Sequence, residues 1–92
     1  LDAFFAERGS ARIDLLKIDV EGFEPDVIRG ANGLLRSGRI AAILCEFNEH
    51  WLGRRGTSSD ELYAMIRGYG FQECGIQYQA GVELQNLMFE MR

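Results

Sequence analysis

The chain has 92 residues, 47% of them hydrophobic and 26% charged, with a formal net charge of −4. That length suits one small domain or part of a larger one, and the balance is too apolar for a disordered chain. No basic stripe marks a nucleic-acid partner, and the longest apolar run, Ile40 to Cys45, is far too short to span a bilayer.

The opening on Leu1 rather than Met reads as a piece of a longer protein. Asp2 precedes Ala3–Arg8, with Gly9 behind it, which predicts a short helix capped by Asp2. Ile13 to Val20 is short, β-branched and apolar at most positions. It predicts a strand covered on both faces, as in a parallel sheet. Gly22 breaks it. Phe23, Val27, Ile28, Ala31, Leu34 and Leu35 then recur at helical spacing, with Pro25 in the first turn and Gly38 at the end.

Ile40 to Phe47 predicts a second apolar strand, and Gly53–Thr57 a loop. A further helix starts at Ser59, capped by Ser58 or Ser59, runs through Leu62, Tyr63, Met65 and Ile66, and closes at Gly68 and Gly70. Phe71–Tyr78 and Leu84–Met91 predict two strands joined as a hairpin by residues 79–83. Cys45 and Cys74 lie in apolar segments at no metal or redox spacing, so they read as buried reduced thiols, consistent with a cytoplasmic protein.

Alternating strands and helices predict an α/β fold with a parallel sheet, closed by a terminal antiparallel β-hairpin. Ligands of such sheets bind outside the carboxyl ends of the parallel strands. Asp19 and Glu21 sit at that end of the first strand, Glu46 and Asn48 at that end of the second, and Arg54–Arg55 and the 79–83 turn emerge on the same edge. Period-two geometry puts Lys17, Asp19 and Glu21 on one face. A lysine buried there needs a partner, and Asp19 is the nearest. A histidine is the side chain whose unperturbed charge change lies nearest neutrality, which makes His50 a candidate base, while Trp51 is a candidate pocket wall. Plainer roles stand beside these. Asp19 and Glu21 could cap the next helix, Glu46 could anchor a loop, His50 could be a loop residue, and Arg54 and Arg55 could be solvated. Gly22 could serve only a tight turn.

The block Leu15-Leu16-Lys17-Ile18-Asp19-Val20-Glu21-Gly22-Phe23-Glu24, then Val27-Ile28-Arg29-Gly30-Ala31 and Ile43-Leu44-Cys45-Glu46, resembles the signature of the FkbM family of S-adenosylmethionine-dependent O-methyltransferases. Leu1-Asp2 and Asn86-Leu87-Met88-Phe89 resemble that family's flanking segments. The resemblance covers nearly the whole chain. It implies the C-terminal half of a Rossmann-like class I methyltransferase domain over residues 1–92. The family's N-terminal half, with its Gly-rich cofactor loop, has no counterpart here.

The implied activity is methyl transfer from S-adenosylmethionine to a hydroxyl of a small molecule or sugar, within a longer enzyme. Asp19, Glu21, Glu46 and His50 are the candidate catalytic residues. Asp19, Glu21 and Gly22 are the candidate cofactor contacts, and Asn48, Trp51 and Arg54 the candidate acceptor contacts. Asp19, Glu21 and Glu46 are also hard oxygen donors, but their spacing is no recognised metal motif and no metal is assigned. Two alternatives remain: a non-catalytic Rossmann-like interaction module, and a metal-dependent α/β phosphoester enzyme. The partners expected are a small acceptor and the rest of the domain, with neither nucleic acid nor membrane. Without that remainder, the first strand is expected to keep an unpaired edge, leaving the 92 residues prone to aggregate and inactive alone.

Overall fold

The computed structural model describes the backbone of residues 3–8 and 12–91 and the side chains of residues 14–91. Its elements in chain order are β1 (Ala3–Arg8), β2 (Arg12–Ile18), α1 (Glu24–Gly30), α2 (Asn32–Arg36), β3 (Ala42–Asn48), α3 (Glu49–Arg54), α4 (Ser59–Gly68), β4 (Phe71–Glu73) and β5 (Leu84–Met91). The strands form one mixed five-stranded sheet in the order β1-β2-β3-β5-β4. β2 and β3 pair in parallel, with Leu16, Lys17 and Ile18 opposite Ile43, Leu44 and Cys45. β5 inserts antiparallel between β3 and β4, as the terminal hairpin predicts.

The core lies on one face of the sheet. Leu16, Ile18, Ile43, Cys45, Phe47, Leu87 and Phe89 alternate onto it and are fully or almost fully buried. Ile28, Leu35, Leu52, Leu62 and Ile66 meet them from the helices. Each such side chain contributes roughly 1.5–3 kcal/mol relative to exposure. The opposite face holds Leu15, Leu44 and Met88 half-buried and Lys17 exposed. The expectation of strands covered on both faces is therefore corrected for the described residues. Lys17 is not a buried charge in need of Asp19, because alternation turns it to the uncovered face, where water solvates it.

Four further expectations change. Ala3–Arg8 is a strand, not a helix, and it pairs antiparallel with β2 from Ala3 opposite Ile18 to Arg8 opposite Arg12. A six-residue helix gains little by itself, whereas the β2 edge offers a row of backbone partners. That edge is consequently paired, not bare. The proposed Asp2 cap lies outside the described residues. The helix expected from Phe23 to Leu35 is two helices, separated at Ala31 with φ −94 and ψ 11. Gly30 and Gly33, both poor helix formers, flank that break.

The strand expected to reach Tyr78 stops at Glu73, because Gly75 takes φ 84 and the chain turns away. Glu73 is buried and accepts hydrogen bonds from the Tyr63 hydroxyl (2.9 Å) and the Tyr78 N–H (3.1 Å). Tyr78 stacks on Tyr63 with centroids 4.3 Å apart. Burial pushes the Glu73 carboxyl up, but hydrogen bonds from its own backbone, Tyr78, Tyr63 and Arg67 outweigh it and hold the group below its usual range. Ser58 proves to be the cap of α4, its hydroxyl accepting the Glu61 N–H. Cys45 and Cys74 are free thiols, the first buried and the second half-buried. No helix among the described residues is long and apolar enough to cross a membrane.

Gly22 is where the fold tolerates least. It has φ +98, and a Cβ there would lie 2.5 Å from the Trp51 carbonyl oxygen. Gly53, inside α3, would meet nothing within 4 Å. Gly22→Ala is expected to cost about 3 kcal/mol in denaturant unfolding, from a left-handed backbone and a collision with main chain. Gly53→Ala should instead be neutral or stabilising by up to about 1 kcal/mol.

Candidate active site

The β2–α1 connection is a four-residue turn closed by the Phe23 N–H donating to the Val20 carbonyl at 3.2 Å. Its central residues, Glu21 and Gly22, have φ 50 and 98, the pattern of a type I′ turn. Glycine accepts that conformation readily and glutamate does not. Glu21 is the one non-glycine residue with positive φ among the described residues. Glu24, 0% exposed, holds the turn from beneath. Its Oε1 accepts the Gly22 N–H at 2.9 Å and its Oε2 the Val20 N–H at 3.1 Å.

One strand further into the sheet, β3 presents Glu46 on the same face as Leu44, with Cys45 buried on the other. The parallel register carries Asp19, one residue past the end of β2, level with Glu46. The two carboxyl groups are close enough for each to feel the other's charge. Burial pushes the Glu46 carboxyl up, the charges of Asp19 and Glu24 push it further, and Glu21 adds to the same effect. A second carboxylate beside a carboxyl disfavours its charged form, so Glu46 holds its proton more readily than it would alone. Below them the Cys45 thiol is raised by burial first, then by Glu24, Glu46 and Asp19, which leaves it an inert core thiol.

A second group of candidates lies on α3. His50 is exposed and edge-on to the Trp51 ring at 5.1 Å, and the Arg54 guanidinium lies 6.0 Å from that ring. The Asn48 side-chain oxygen accepts the Trp51 N–H at 3.2 Å, so it caps α3. Arg55 covers the Phe23 ring at 3.7 Å, tying α3 to the β2–α1 turn. Gly22 packs on the Trp51 carbonyl, so the close approach it permits is to α3. The Glu49 N–H donates to the Glu83 carbonyl at 2.9 Å, which brings the β4–β5 loop to the same end of the sheet.

The structure thus brings Asp19, Glu21 and Glu46 together and sets His50, Trp51 and Arg54 beside them as a separate cluster. Glu24 was visible in the motif but carried no role in the sequence reading. A buried carboxyl that answers two amides leaves no mark in hydrophobic periodicity. A groove of about 650 Å³ between α2 and α4, lined by Arg36, Met65, Tyr69 and Met91 among others, lies at the opposite end of β3 from these residues.

The raised Glu46 carboxyl has a consequence for stability. The folded chain binds this proton more tightly than the unfolded chain, so Glu46 favours the native state below its ordinary pKa of 4.5 relative to higher pH. Its contribution falls as pH rises from there through the folded-state value. Glu46→Gln, whose amide can donate to Asp19, is expected to raise Tm at pH 7 and to flatten the dependence of Tm on pH above 4.5. An unchanged Tm–pH curve would contradict the carboxyl pairing.

Comparison with known proteins agrees with the motif. Residues 1–73 match the family described as the methyltransferase FkbM domain. The chain is also 35% identical over 72 residues to the AMB antimetabolite synthetase AmbE of Pseudomonas aeruginosa. That alignment covers 78% of this chain but only 3% of the relative, so the chain spans a small part of that protein. No solved structure matches the chain. With the Lys17–Glu24 signature on the turn that carries Asp19 and Glu21, and a family match across most of its length, the chain belongs to the FkbM methyltransferase domain family.

Proposed function

We propose that this chain is the C-terminal half of a Rossmann-like, S-adenosylmethionine-dependent O-methyltransferase domain, acting on a hydroxyl of a small molecule or sugar. One observation carries the reading. Asp19 and Glu46 stand level in register at the carboxyl ends of adjacent parallel strands, where α/β sheets bind ligands. Family membership supports methyl transfer in general. The order β2-β3-β5-β4, with an antiparallel strand inserted before the edge, supports the Rossmann-like assignment.

S-adenosylmethionine, when bound, supplies an electrophilic methyl on a positively charged sulfur. The residues present suit such a group, because several carboxyl groups crowd one site and raise Glu46, which an added positive charge would relieve. Asp19 and Glu21 are the residues to hold it. Glu46 is the residue to take the acceptor's hydroxyl proton. A carboxyl raised above its ordinary range is a stronger base than an ordinary one. Trp51, with His50 and Arg54 around it, offers an aromatic face for a sugar or ring to pack on. Asn48 retains its amide N–H groups for the acceptor. The Gly-rich cradle implied by the family has no counterpart in this sequence, so the reading includes a cradle from other residues of the parent protein. Two free thiols suit a reducing compartment, and the cytoplasm is proposed accordingly.

Titration calorimetry of the full-length protein with S-adenosylmethionine tests this directly. Binding is expected, weakened about tenfold or more by Asp19→Asn, the scale of one lost charge-assisted contact. Glu46→Gln should leave binding closer to wild type but slow turnover of a hydroxyl acceptor by about 100-fold or more. A full-length protein that binds no S-adenosylmethionine would remove the methyltransferase reading.

A further inference from the structure

We propose that Glu24 is the positioning residue of this site: its buried carboxyl clamps the Val20–Phe23 turn and thereby sets where Asp19 and Glu21 present their side chains. The clamp is read from geometry, and only the use made of the positioned carboxylates rests on the methyl-transfer reading.

Glu24 occupies the first position of α1, yet it does not serve that helix. The helix cap, Phe23, makes no side-chain hydrogen bond, and both Glu24 oxygens reach backwards to amides of the preceding turn. Those amides, Val20 and Gly22, flank Glu21, the residue held at φ 50. A glutamate in the left-handed region persists only where its surroundings over-determine it. Here the surroundings are three: the Glu24 carboxyl below, the Trp51 carbonyl against Gly22, and Arg55 over Phe23.

An apolar residue would fill this buried position at lower desolvation cost than a carboxyl. What a carboxyl adds is two acceptors spaced to receive two amides of one turn. Asp19 immediately precedes Val20, so the same clamp fixes the start of the reach from Asp19 to Glu46. Glu24 is fully buried with both oxygens on backbone amides, so it acts through the residues it holds.

A double-mutant cycle in the full-length protein tests the clamp. Glu24→Gln keeps the size but leaves one oxygen for two amides. Glu21→Gly lets the turn adopt positive φ without restraint. Denaturation midpoints are measured for wild type, E24Q, E21G and the double variant. E24Q is expected to lower the midpoint clearly in the wild-type background and much less in the E21G background. Equal losses in both backgrounds would overturn the proposal, because a residue that only fills the core costs the same with either turn. Where E24Q alone does not fold, recovery of the fold by E21G supports the clamp and failure to recover overturns it. In parallel, E24Q is titrated with S-adenosylmethionine, with an expected weakening of about tenfold, the scale of one hydrogen bond to a carboxylate. Unchanged affinity in E24Q beside a binding wild type would overturn the positioning role. A wild type that does not bind refutes the methyl-transfer reading instead, and the stability cycle still decides the clamp.

Discussion

Two carboxyl groups stand side by side at the tip of this sheet because the strands that carry them are locked in parallel register. Leu16, Lys17 and Ile18 face Ile43, Leu44 and Cys45, and the next step in that ladder sets Asp19 against Glu46. Like charges at such range repel. The arrangement is stable because the repulsion is small beside the apolar burial directly beneath it. Leu16, Ile18, Ile43 and Phe47 are sealed from solvent on the face that the helices cover. The sheet supplies the stability, and the pair at its edge is free to be unfavourable.

The same logic extends to the turn between β2 and α1. A strained glutamate, a glycine pressed on a main-chain carbonyl and a carboxyl with no exposure meet within four residues. Each is a local cost, and the three meet in one corner of the fold. α3 completes the corner from the other side, with Trp51 against Gly22 and Arg55 over Phe23.

One face of the sheet is left partly open by the described residues. Parallel strands ordinarily lie between two layers, yet Leu15, Leu44 and Met88 remain half-buried with Lys17 exposed among them. Asp19 and Glu46 belong to this side.

Much of this was legible in the residues themselves. Continuous apolar runs over Ile13–Val20 and Ile40–Phe47 identified two neighbouring strands and the end of the sheet at which Asp19 and Glu46 stand. Pro25 marked the start of α1, Ser58 was one of two caps weighed for α4, and the signature from Lys17 to Glu24 named the family. Those features are local, and local chemistry writes them into neighbouring positions. The rest depended on partners distant along the chain. Whether Ala3–Arg8 coils or extends is settled by the β2 edge, not by its own composition. Lys17 is solvated because no layer covers its face, and Tyr78 leaves the strand because Glu73 and Tyr63 hold it elsewhere. Glu24 is the clearest case: its type and place are plain in the sequence, but its two amide partners exist only once the turn has closed. Hydrophobic pattern and motif thus determined which strands form and where they end. Only tertiary structure decided which faces are covered and what each buried polar group holds, because those depend on contacts that sequence order does not encode.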